Sequence, residues 1–173
     1  MATYVGLLRG VNVGGRNTVS MADLRSLVES LGHTEVTTYI QSGNIVFTSA
    51  KAVAAPTLEA AIKGKFGLDV TVVLRTPAEL ARVVKANPFA REDLSKVHVG
   101  FMARKPAKTV VTEIDAARFE PEEFAVLGAE LYLYLPNGMG RSKLPDYLGR
   151  QLKIPTTVRN WNTVLKLLDL ARG

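Results

Sequence analysis

One offset relates the two ends of this chain. Ile45 and Leu131, Phe47 and Leu133, Leu58 and Leu144, Ile62 and Leu148, Phe66 and Leu152, and Val72 and Val158 are each 86 positions apart, as in 144 − 58 = 86. A constant spacing that links apolar positions in both strand-like and helix-like stretches marks a duplicated unit, so the fold must be one that can be built twice. Beyond these pairs the offset is 84: Thr76 lies over Asn160, Leu80 over Val164 and Val84 over Leu168 (160 − 76 = 84). At the start of each half it is 94, where YVGLLR from Tyr4 lies over HVGFMAR from His98 (99 − 5 = 94 for Val5 and Val99). The first half therefore carries 94 − 86 = 8 extra residues, most simply in a glycine-rich connector between its first and second strands.

Local patterns supply the repeated unit. Thr3 to Arg9 is a β-rich run, and Ser20 caps a helix whose apolar positions Met21, Leu24, Leu27, Val28 and Leu31 keep helical spacing up to Gly32. Val36–Ile40 and Asn44–Thr48 read as strands joined by a tight hairpin at Ser42-Gly43. A helical stripe through Leu58, Ala61, Ile62 and Phe66 precedes a strand at Val70–Leu74. Thr76-Pro77 with Glu79 then opens a further helix, which Asn87-Pro88 stops. The second half repeats the order. Its strands are Val97–Met102, Glu123–Leu127, Leu131–Leu135 and Thr156–Val158, and its helices fall near Val110–Ala117, Ser142–Leu152 and Trp161–Ala171. The expected fold is α+β: two ferredoxin-like βαββαβ halves related by internal duplication, each followed by an extra helix. The halves span residues 1–88, with the glycine-rich loop, and 89–173.

The candidate sites are the places where the halves differ. In LLRGVNVGGRN, Gly10, Gly14 and Gly15 allow positive φ and close backbone approach, while Arg9, Arg16, Asn12 and Asn17 offer donors to an oxyanion ahead of the capped helix. The spacing matches neither a Walker loop nor a dinucleotide fingerprint. In the hairpin TYIQSGNIVF, Gln41, Ser42 and Asn44 place amide and hydroxyl groups where the second half has only LGAE. A second glycine-rich loop, NGMGRSKL, sets Arg141 and Lys143 at a helix start, where cations oppose the helix dipole and a bound anion would relieve them. In TVRNWN, Arg159, Asn160 and Trp161 form a cation, a helix cap and the only tryptophan, offering a stacking face or a core anchor.

A net charge of +6 and an isoelectric point near 9.7 favour nucleic acid, anionic metabolites or acidic protein surfaces as partners. The absence of cysteine excludes disulfides, thiol nucleophiles and cysteine-ligated metals and accords with a reducing cytoplasmic setting. His33 and His98 stand alone, no metal-ligand spacing occurs, and neither Ser20 nor Ser42 has an activating base nearby in sequence, so no metal or cofactor is expected and no catalytic residue is assigned. The opening MATYVGLLRG carries no basic leader, and its apolar run is too short for a signal segment or a membrane span.

Together LLRGVNVGGRN, MADLRSLVESLG, TYIQSGNIVF, RSKL and TVRNWNTVLKLL resemble the blocks of the bacterial family catalogued as domain of unknown function 1697, over essentially the whole chain. The resemblance implies a cytosolic protein of two similar α+β halves and carries no activity, cofactor or catalytic residue with it. The leading expectation is an anion-binding protein that holds nucleic acid, a nucleotide or another phosphate-bearing ligand on the Arg9–Asn17 loop. Two alternatives stand beside it. One is a small phosphohydrolase similar to the acylphosphatases, with Arg9 or Arg16 on phosphate and Asn44 positioning water, although the spacing departs from that family's pattern. The other is a protein-interaction module such as a homodimer.

Overall fold

The computed structural model describes residues 1–173. In the first half β1 (Ala2–Leu8), α1 (Met21–Ser30), β2 (Thr34–Tyr39), β3 (Asn44–Ser49), α2 (Ala55–Phe66) and β4 (Val72–Arg75) follow in order, and α3 (Pro77–Lys85) completes the repeat. The second half runs β5 (Val97–Met102), α4 (Lys108–Thr112), β6 (Glu123–Leu127), β7 (Glu130–Tyr134), α5 (Leu144–Leu152), β8 (Thr156–Asn160) and α6 (Trp161–Arg172). Each half folds into a four-stranded antiparallel sheet, with orders β2-β3-β1-β4 and β6-β7-β5-β8. This is the ferredoxin-like arrangement written twice. Two compact units divide the chain, Met1–Arg82 with Lys166–Gly173, and Val83–Leu165.

Register shows the duplication residue by residue. Gly6 faces Ile45 in the first sheet as Gly100 faces Leu131 in the second, and Val5 faces Arg75 as Val99 faces Arg159. The paired glycines serve one purpose: a Cβ on Gly6 would lie 2.9 Å from Ile45 Cγ1, and one on Gly100 would lie 2.9 Å from Thr156 Cγ2. Neighbouring side chains fill the space over each central strand.

The eight extra residues are not all in one connector. Facing Ile45 is Thr38, and facing Leu131 is Val126, so the second strands are related by 126 − 38 = 88. The offset thus falls by six between first and second strands and by two more at the hairpin. The first hairpin accordingly turns through four residues, Ile40 to Gly43, whereas Gly128-Ala129 alone joins β6 to β7 with Gly128 at φ +61°.

Apolar stripes bury as their periodicity requires. Met21, Leu24 and Val28 of α1 and Leu58 and Ile62 of α2 pack with Leu8, Ile45, Phe47 and Val72 in the first core. The second gathers Met102, Leu131, Leu133, Leu144, Leu148 and Leu152. Caps open the helices as the sequence implies. Ser20 Oγ accepts from the Asp23 amide, Thr76 and Glu79 form a reciprocal capping box at 3.0 and 3.2 Å, and Asn160 Oδ1 accepts from the Thr163 amide at 2.9 Å. Pro145 sits in the first turn of α5. The expected helix over Val110–Ala117 is replaced by the five-residue α4 and a 3-10 turn at Ala117–Phe119, since its apolar positions support only a short stripe. The helix expected from Ser142 starts at Leu144, after a 3-10 turn at Met139–Arg141.

Candidate functional site

The β1–α1 connector begins where Leu8 leaves the sheet and folds back on itself as a small hairpin. The Arg16 amide donates to the Val13 carbonyl at 3.0 Å, and the Asn12 amide to the Asn17 carbonyl at 3.1 Å. Between them Gly14 and Gly15 have φ of +57° and +73°, both left-handed, as a tight two-residue hairpin turn demands. A Cβ built on Gly10, Gly14 or Gly15 would meet nothing within 4 Å, so the turn stands clear of its surroundings.

Its asparagines hold the loop together. Asn12 Nδ2 donates to the Val19 carbonyl at 2.9 Å and the Gln41 carbonyl at 2.7 Å, while its Oδ1 accepts from the Val19 amide at 2.8 Å. Asn17 Nδ2 donates to the Gly10 carbonyl at 3.2 Å. With φ of +55° and +50°, both occupy the left-handed region that asparagine enters more readily than most residues. Both Nδ2 hydrogens of Asn12 are committed within the fold, so that side chain organises the loop and offers no donor to a ligand.

The connector and the β2–β3 hairpin tip form one structural unit. Besides the Asn12–Gln41 bond, the Leu8 amide donates to the Gly43 carbonyl at 2.9 Å, and Val11 lies so close to Gly43 that a Cβ there would be 2.6 Å from Val11 Cγ2. Gln41 is exposed and Ser42 half-buried. Asn44, by contrast, is fully buried, with Nδ2 donating to the Tyr39 carbonyl at 2.8 Å and Ser42 Oγ at 2.9 Å. The position that would hold water in an acyl-phosphate cleavage is thus occupied in bracing the turn.

The exposed residues of this unit include Arg9, Arg16, Asn17 and Gln41 and the apolar Val13 and Ile40. The helix start plays a smaller part than the motif suggests. Ser20 caps α1, Asp23 supplies an acid in its first turn, and the Val19 amide is held by Asn12. The basic groups are therefore presented by a projecting turn, and the start of α1 carries its own cap and acid.

The remaining candidates fall elsewhere. Arg141 and Lys143 are exposed ahead of α5, where Ser142 Oγ accepts from the Leu144 amide. Asn160 is engaged as the cap of α6. Arg159 is buried, its Nη1 donating to Thr157 Oγ1 at 2.6 Å and the Val158 carbonyl at 3.0 Å, and burial pulls its guanidinium down to about 10. Trp161 is only 4% exposed. Arg159 and Trp161 are thus interior residues, Arg159 sharing its face of β8 with Thr157 and Trp161 opening α6. No group of three or more His, Cys, Asp or Glu is placed to hold a metal ion, and no helix is long and apolar enough to cross a membrane.

A family model described as protein of unknown function (DUF1697) matches residues 1–132. The fold is similar to that of the conserved bacterial protein SP0830 from Streptococcus pneumoniae, with a TM-score of 0.76 and 23% identity over 98% of each chain. Among curated proteins none matches.

Proposed function

The chain belongs to the DUF1697 family, and we propose that it is an anion-binding protein whose ligand is an extended phosphate-bearing polymer, a nucleic acid, engaged by the Arg9–Asn17 connector. One observation carries this reading: the connector is a hydrogen-bonded finger with exposed Arg9 at its base and exposed Arg16 on its turn. Internal bonding lowers the entropy lost when such a loop meets a ligand. Arginine suits the role because its planar fork engages phosphate oxygens bidentately. A finger standing in open space suits a backbone that passes across it better than a small phosphate that must be enclosed. The net charge of +6 adds long-range attraction. Cytoplasmic residence belongs to the same reading.

The test is binding of a fluorescent single-stranded oligonucleotide by the full chain and by the R9A/R16A double variant across a salt series. Removing one arginine–phosphate pairing should flatten the slope of log affinity against log salt by roughly 0.7. We expect at least about tenfold weaker binding at low salt and a shallower slope for the variant. Absence of binding by the unaltered chain, or equal binding by a folded double variant, would defeat the proposal.

A further inference from the structure

The two halves treat one corner of the repeat differently. That corner lies where the connector after the first strand passes the tip of the following hairpin. Both halves anchor it alike, for the Leu8 amide donates to the Gly43 carbonyl as the Met102 amide donates to the Ala129 carbonyl, each at 2.9 Å. In the first half the corner is closed from within: Val11 is 1% exposed against Gly43, and Asn12 reaches across to the Gln41 carbonyl. The second half has a shorter connector, only residues 103–107 between β5 and α4, and a two-residue hairpin tip. It also has Ala129 where the first half requires Gly43.

Beside this hairpin tip the second half has a cavity of about 300 Å³ whose lining includes Lys105, Pro106, Lys108, Val111, Val126 and Leu127. Its wall is aliphatic, with Val111 and Val126 half-buried and Leu127 43% exposed. Lys105 and Lys108 are exposed at its rim, and neither has a carboxylate partner. Two ammonium groups beside an apolar wall define the chemistry the space accepts: an anionic head and a hydrocarbon body. The volume lies at the lower end of small-molecule sites, which suits a ligand of a few carbons and is too small for a nucleotide.

We infer that this corner of the second half is a binding site for a small organic carboxylate with a branched aliphatic body. The body would rest on Val111, Val126 and Leu127, removing exposed apolar area from water. The carboxylate would lie between Lys105 and Lys108, where charge-assisted hydrogen bonds select it over a neutral group of the same shape. The site uses no residue of the Arg9–Asn17 finger, so either proposal can fail alone.

The experiment is a titration of the isotopically labelled full chain, followed by amide chemical shifts, with 4-methylpentanoate and its neutral counterpart 4-methylpentanamide. We expect shifts confined to Lys105, Lys108, Val111 and residues 126–128, saturating with a dissociation constant of about 1 mM or below. The amide should bind at least about tenfold more weakly, and the K105E/K108E variant, altered only at exposed side chains, should lose that preference while keeping its folded spectrum. Absence of saturable shifts, shifts centred elsewhere, equal binding of acid and amide, or an unchanged preference in the folded variant would each overturn the assignment.

Discussion

Asn12 ties the glycine connector to the hairpin tip: its Nδ2 donates 2.7 Å to the Gln41 carbonyl, across 29 positions of sequence. Two further bonds from the same side chain hold both backbone groups of Val19. At about 1 kcal/mol net per bond, with about 1 kcal/mol more for forcing alanine into the left-handed region, Asn12→Ala should cost about 3 to 4 kcal/mol. Asn12→Asp should cost more at neutral pH, since it turns a carboxylate toward two carbonyl oxygens. Urea unfolding measures both; a loss below about 0.5 kcal/mol for alanine would mean that these bonds do not hold the loop.

Gly43 and Gly128 both have positive φ, at +86° and +61°, but differ in what surrounds them. A methyl group at Gly43 would meet Val11 Cγ2 at 2.6 Å and Leu8 Cβ at 2.8 Å, while one at Gly128 would meet nothing within 4 Å. Gly128→Ala should therefore cost only the conformational term, about 1 to 2 kcal/mol. Gly43→Ala adds overpacking of about 1 to 3 kcal/mol and should melt at clearly lower temperature. Equal melting points would contradict the close approach of Val11 to the hairpin.

His98 is half-buried on β5, and burial, outweighing an opposing backbone hydrogen bond at Lys96, holds its imidazole below the ordinary value of 6.5. The unfolded chain therefore binds this proton more readily than the folded one. Stability contributed by neutral His98 is present above 6.5 and is lost as pH falls toward and through the lowered folded value. His33, also lowered by burial beside the Phe47 ring, adds with the same sign. Denaturation midpoints should fall on acidification from pH 7 to 5, and His98→Leu should flatten that fall, leaving the part due to His33. A variant with the full original slope would remove His98 from the account.

Much of the fold was legible because its signals are local. The strand Val97–Met102 and the strand Glu123–Leu127 coincide with their β-rich runs, and the Thr76–Glu79 capping box with its four-residue motif. The duplication was legible because apolar spacing survives when identities change. The division of the eight extra residues was not, since only pairing across β2–β3 and β6–β7 reveals that two of them lengthen the hairpin tip. Similarly, the aliphatic corner beside Lys105 and Lys108 had one faint signal, Ala129 in the place of Gly43. That signal has meaning only once Val11 is known to press on the glycine.

By itself, the sequence determined the order of strands and helices, the repeat and the placement of two arginines in a glycine-rich connector. Those follow from periodicity, capping and backbone preference, which act over a few residues. Only the tertiary structure decided which polar side chains are buried and which are exposed. It committed Asn12 and Asn44 to carbonyls brought near by the fold, drew Arg159 and Trp161 inside and left Arg9 and Arg16 exposed. A buried polar group must find its partner wherever the fold brings one, and that partner is often distant in the chain.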